Sequence, residues 1–205
     1  MFESSWVRCW ESIGAKGTGQ ALMQRLVEAY QEPHRRYHTE QHLKECLTIF
    51  GEHPECAQEP GEVEMALWFH DAIYNVNSFD NEARSAEWAV GELSQAEVHP
   101  DRISRIQAHV LATRHSALPV GQDQQFLVDI DLSILGVEPT RFEEYERQIR
   151  QEYSYVPGFI FERKRRKVLA GFLARNPIYN TPALHQKFEK QARFNISQSC
   201  GLILN

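Results

Sequence analysis

The residues of this chain that could do chemistry gather around one dipeptide. His70-Asp71 closes the apolar run Met65-Ala66-Leu67-Trp68-Phe69, and His38 and His42 precede it. An imidazole beside a carboxylate offers a nitrogen and an oxygen donor that a short helix can aim at one point, which is metal-binding chemistry. The dipeptide alone carries little weight: with nine His and six Asp in 205 residues, roughly 0.26 such pairs arise by chance. Its surroundings decide. Asp71 lies among Trp68, Phe69 and Ile73, where an unpaired carboxylate would be costly to bury, so it calls for a cation or strong donors. His42, like His70, sits where a helix face turns apolar, whereas His53, His99 and His185 stand in polar contexts that need no ligand role. Asp129 and Asp131 raise the same question inside Phe126-Leu127-Val128-Asp129-Ile130-Asp131-Leu132. On a helix, residues two apart take roughly opposed faces, so at most one of them should reach a common site.

The elements that must position these groups read as all-α. Apolar residues recur at helical spacing almost everywhere, and period-two alternation is confined to the segment around Asp129 and Asp131, where helix is preferred. Helices are expected over about 18–32, from Thr39 as N-cap through Phe50, and over about 61–74. Further helices are expected after a turn at 77–80 and after Pro100, Pro139, Pro157 and Pro182. The last two should bury Val168, Leu169 and Phe172, then Leu184, Phe188 and Ala192. If the helix begins at His38, the imidazoles of His38 and His42 share a face; if Thr39 caps it, His38 lies just outside. No repeat or linker interrupts the chain, so one domain over 1–205 is expected.

Composition narrows the function classes. A formal charge of −6 argues against nonspecific binding to nucleic acid or an anionic membrane. The exception is Arg163-Lys164-Arg165-Arg166-Lys167, which is either a solvated helix face or a source of inward-pointing arginines for an anionic substrate. Cys9, Cys46, Cys56 and Cys200 show no C-x-x-C spacing and read as ordinary thiols of a reducing compartment. With no apolar leader and no long apolar window, a cytoplasmic location away from membranes is expected.

The order His42, His70-Asp71, Asp131 resembles the H…HD…D signature of the HD-domain metal-dependent phosphohydrolases. The resemblance extends to Tyr37-His38-x-x-x-His42, Phe69-His70-Asp71-Ala72-x-Tyr74, Asn81-Glu82-x-x-Ser85-Ala86, Asp131-Leu132-Ser133-Ile134-Leu135-Gly136 and Ile178-Tyr179, and spans about 36–195. These segments look like an uncharacterised, predicted-phosphohydrolase branch of the superfamily. The resemblance implies an HD-like helical bundle with a metal-binding core over about 36–136 and additional C-terminal helices over about 139–200. It makes His42, His70, Asp71 and Asp131 the ligands of a divalent cation, with Asp129 outside the ligand set. His115 resembles the extra histidine of binuclear members, which usually have two or more, and only His109 could serve as another.

The implied reaction is hydrolysis of a phosphate ester or anhydride of a small molecule, a nucleotide being the expected substrate, by a metal-activated water. Asp71 takes part through the metal. Glu82, which follows the pair closely and begins the next helix, is the candidate general base or acid, although an acid in a first turn is favoured by the helix dipole anyway. Arg36, His38, Arg150 and Arg165 are the candidate phosphate contacts, because arginine's planar fork suits phosphate better than lysine does. The mixed N/O donor set leaves Mn, Fe, Co, Ni, Zn and Mg open. Two alternatives stand beside this reading, a di-iron HD-fold oxygenase and a noncatalytic nucleotide- or metal-sensing module. Exposed helical faces leave room for a homodimer.

Overall fold

From Pro60 to Phe69 the chain is apolar on every side of a helix, apart from Glu62 and Glu64. A helix with no polar face to give to water must be surrounded by others. The computed structural model describes residues 1–115 and 117–201. Among these, the protein is all-helical, with ten α-helices and no strand: α1 (Phe2–Ser12), α2 (Gln20–Tyr30), α3 (Glu40–Glu52), α4 (Pro60–Phe69), α5 (Asn81–Gln95), α6 (Pro100–Ala112), α7 (Gln122–Asp131), α8 (Pro139–Glu152), α9 (Gly158–Leu173) and α10 (Pro182–Ser199). Short 3₁₀ turns occupy Pro54–Cys56 and Leu132–Gly136. Two compact units form, residues 1–128 and residue 129 onward. Among the described residues no helix is long and apolar enough to cross a membrane.

In the first unit α4 is the central helix, every residue from Gly61 to Phe69 being buried, and it packs against α1, α3, α5 and α6. Its two acids are satisfied from neighbours. Glu62 accepts Nε and Nη2 of Arg105 on α6, both at 2.7 Å. Glu64 accepts the Ser5 hydroxyl at 2.7 Å and pairs with Arg8, both on α1. Burial pushes the Glu64 carboxyl up, and Arg8 and Ser5 offset part of that rise. α1 was not among the expected helices, yet Trp6, Cys9, Trp10 and Ile13 hold helical spacing and are all buried. The Trp6 ring stands edge-on to Trp68 of α4 at 5.2 Å and stacks on Trp10 at 5.1 Å.

Two helix boundaries differ from expectation for visible reasons. α2 starts at Gln20 because Gly19 takes a left-handed φ of 62°, and a Cβ there would strike the Trp10 ring at 2.7 Å. α4 ends at Phe69 rather than near Tyr74 because tertiary partners capture the backbone that would continue it. The Tyr30 hydroxyl accepts from the Asp71 amide at 3.3 Å, and the Ser85 hydroxyl from the Ile73 amide at 3.0 Å. Arg35 donates to the carbonyls of Asp71 at 2.6 Å and Ala72 at 2.9 Å.

In the second unit α10 packs against the 3₁₀ turn and α9, and α8 against the same turn. Gly136 permits this, since a Cβ there would meet the Phe188 backbone oxygen at 2.6 Å. Asn195 donates to the carbonyls of Leu135 at 3.0 Å and Val137 at 2.8 Å, closing the turn. Leu169, Leu184, Phe188 and Ala192 are buried as expected. Val168 is 49% exposed and Phe172 only half-buried, because α9 turns only the Leu169 side fully inward.

Candidate metal centre

Three of the expected ligands come from two adjoining elements. The Thr39 hydroxyl caps α3 by accepting from the Gln41 amide at 3.3 Å, which places His42 in the first turn and His38 outside the helix. His70 and Asp71 lie at the C-terminus of α4, where the captured backbone turns away. His42 and His70 are 2% and 1% exposed. Their Nε2 atoms are 3.0 Å apart. Asp71 Oδ2 lies 3.1 Å from His70 Nε2 and 3.4 Å from His42 Nε2.

The outer sides of both imidazoles fix which atom faces inward. His70 Nδ1 is 2.7 Å from the Leu67 carbonyl, an acceptor only, so Nδ1 carries the hydrogen and Nε2 presents a lone pair. His42 Nδ1 is 3.0 Å from the Tyr37 hydroxyl, which can accept its hydrogen and leave Nε2 as donor atom. Ligating histidines are held this way, with the second nitrogen engaged outside the metal shell. Donors about 2.1 Å from one ion and at right angles to it stand about 3.0 Å apart, so these separations suit neighbouring positions around a single cation. One ligand atom from each of the three residues fits within a 4.8 Å span. The chemistry of the donor set therefore fits a divalent cation.

Burial by itself would push the Asp71 carboxyl up; with the imidazoles protonated, the charges of His70 and His38 and hydrogen bonds from His42 and His70 outweigh it and hold the group well below the usual carboxylate range. A cation bound between the same Nε2 atoms and Oδ2 would take the place of those protons.

Arg35 backs this site, although no signal in the sequence sets it apart from Arg36. Its guanidinium is fully buried, lies 5.3 Å from the Tyr30 ring centroid and 5.5 Å from that of Tyr74, and donates to Glu32 and to the carbonyls of His38, Asp71 and Ala72. It positions the ligand turn from behind. Arg36 is exposed and donates to the Pro33 and Arg35 carbonyls. His38 stacks on Tyr74 at 4.1 Å beside His42. Glu82 is half-buried in the first turn of α5.

The remaining candidates have other surroundings. Arg150 donates to the carbonyls of Tyr153 and Val156 and lies over the Phe161 ring. Arg165 pairs with Glu146 at 2.5 Å and covers the Tyr145 ring, so it holds α9 to α8. The other members of the basic run, Arg163, Lys164, Arg166 and Lys167, are exposed. His115 lies three residues past the end of α6 with a φ of 54°, and His109 is buried, with burial pushing its pKa down. Among the described residues, neither histidine joins a cluster of three or more ligating side chains.

Asp131 is the last residue of α7 and is half-buried. Asp129 is fully buried and accepts from the Thr181 amide at 2.6 Å. Burial pushes the Asp129 carboxyl up to about 6, against the hydrogen bonds of Thr181 and Asn180. Its unfolded value is about 3.9, so the stabilisation tied to its protonated form is complete below that pH. That contribution is lost as pH rises through about 6, and amounts to about 3 kcal/mol. Asp129→Asn keeps an acceptor for Thr181 and carries no charge. With chelator present, it is expected to melt roughly 6–12 °C above the wild type near pH 8 and to match it near pH 4. Thermal melts across that range check this; a variant less stable near pH 8 would refute it.

No family model, curated protein or solved structure matches the chain.

Proposed function

We propose that this protein is a metal-dependent phosphohydrolase of the HD type, acting on a phosphate ester or anhydride of a small molecule, with nucleotides as the first substrate class to test. The observation that carries the reading is the convergence of two buried imidazole Nε2 atoms and one ionised carboxylate, with the other nitrogen of each imidazole engaged elsewhere. Asp131 is the proposed fourth ligand.

His42, His70, Asp71 and Asp131 would hold a divalent cation, which would supply Lewis acidity toward a phosphoryl oxygen and a water. His38, half-buried beside His42, is the group placed to meet an anionic substrate at the edge of the donor set. Arg36 adds positive charge from the same loop. Glu82 is the proposed proton-transfer group. Glu82→Gln is expected to lose turnover by about 100-fold or more while binding Mn²⁺ as the wild type does. Unchanged turnover would remove Glu82 from the reaction. The di-iron alternative needs further ligands, and the placement of His109 and His115 lends it no support.

The deciding experiment is metal analysis of the purified protein, followed by phosphate release from nucleotides and generic phosphate esters with each divalent cation in turn. Metal-dependent release from at least one substrate is expected. No release from any of them, together with two bound irons, would overturn the proposal.

A further inference from the structure

Cys46 lies one helical turn after His42 on α3 and is 1% exposed. Its Sγ is 3.7 Å from Nδ1 and 3.8 Å from Nε2 of His42. Ligand atoms from His42, Cys46 and His70 fit within a 4.8 Å span, as do those of His42, His70 and Asp71. The two sets share both imidazoles and differ in the third donor, sulfur in one and carboxylate oxygen in the other. A thiolate about 2.3 Å and an imidazole nitrogen about 2.1 Å from one ion stand about 3.6 Å apart at a tetrahedral angle, close to the separation found here.

We propose that the centre contains two overlapping donor sets: a thiophilic cation such as Zn²⁺ or Cd²⁺ is held by His42, Cys46 and His70, and a harder cation such as Mn²⁺ by His42, His70 and Asp71. This rests on the reading of His42 and His70 as metal ligands, and not on the reaction catalysed. Thiolate and imidazole select soft and borderline ions, whereas carboxylate favours hard ones. Because both sets use the same imidazoles, occupancy is exclusive, and a soft ion displaces the hard one. Coordination of Cys46 releases its thiol proton to solvent, so a soft ion frees one more proton from the wild type than from a variant lacking the thiol.

The test uses the full chain, stripped with chelator and titrated separately with Cd²⁺ and Mn²⁺. Cd²⁺ is expected to give thiolate-to-metal charge-transfer absorption in the ultraviolet, saturating at one equivalent, and to return bound Mn²⁺ to solution as read by its electron paramagnetic resonance. Cys46→Ser is expected to lose that absorption, release one proton fewer and bind Cd²⁺ about 100-fold more weakly, with Mn²⁺ affinity kept within about threefold. Cys46→Ala, nearly as small, repeats the measurement should the serine hydroxyl disturb folding. Absorption that persists in both variants would overturn the proposal, since Cys9, Cys56 or Cys200 would then be the source. So would equal weakening of Cd²⁺ and Mn²⁺, or simultaneous binding of the two ions. If the wild type binds Mn²⁺ but Cd²⁺ gives no absorption, the Cys46 proposal alone falls; if neither ion binds, the metal centre falls with it.

Discussion

Asp71→Asn is expected to weaken Mn²⁺ binding by more than about 100-fold, because loss even of an outer partner of a ligand costs about 10–100-fold and this change neutralises a ligand itself. Asn keeps the size of the side chain and one oxygen, so the fold around α4 should persist and circular dichroism should match the wild type. What disappears is the charge. Of the three clustered donors only Asp71 is anionic, so it alone sets a full negative charge against a cation. Titration calorimetry on chelator-treated protein measures the effect. A variant that binds Mn²⁺ within threefold of the wild type would show that the cation, if bound at all, sits elsewhere.

The second large effect is expected at Arg35. Arg35→Met fills much of the same space but leaves the carbonyls of His38, Asp71 and Ala72 without this donor, while Glu32, 45% exposed, can return to water. Stripping the cation from a buried network of this kind costs about 3–5 kcal/mol, which for a chain of this size lowers the melting temperature by roughly 6–20 °C. Arg35→Lys should recover only part of the loss, since one ammonium cannot reproduce a planar fork that spans several carbonyls. Metal affinity should fall as well, by about 10-fold, at temperatures where the variant is folded, because the ligand turn loses its anchor. Thermal melts and Mn²⁺ titrations together check this. A melting temperature within a degree or two of the wild type would contradict the anchoring role.

The parts of the centre that could be read from the sequence are those whose geometry is local. His70 and Asp71 are covalent neighbours at the end of one apolar helix, and Thr39 three residues before His42 announces where α3 begins. Proline at 100, 139 and 182 marked helix starts because its missing amide is tolerated in a first turn. What could not be read depends on partners far along the chain. Nothing local distinguishes Arg35 from Arg36; the first is buried because Tyr30, Glu32 and the turn after α4 close around it. The early end of α4 has the same origin, since Tyr30, Arg35 and Ser85 seize amides and carbonyls that helical periodicity would assign to another turn. Glu62 and Glu64 look like acids at a helix N-terminus, and only the packed structure reveals Arg105 and Arg8 opposite them. Cys46 has no cysteine at ligand spacing and so looks like an ordinary thiol, whereas its partner is a histidine one turn away.

Those two acids have a consequence for the centre itself. A helix that is greasy all round can spin about its axis with little change in buried area, and nothing in its apolar residues says which way its end should point. Glu62 and Glu64 are two residues apart, about 200° around the helix, and are fastened to α6 on one side and α1 on the other. They act as a keyway: α4 fits at one angle only, and the direction in which His70 and Asp71 leave its far end is set by that angle.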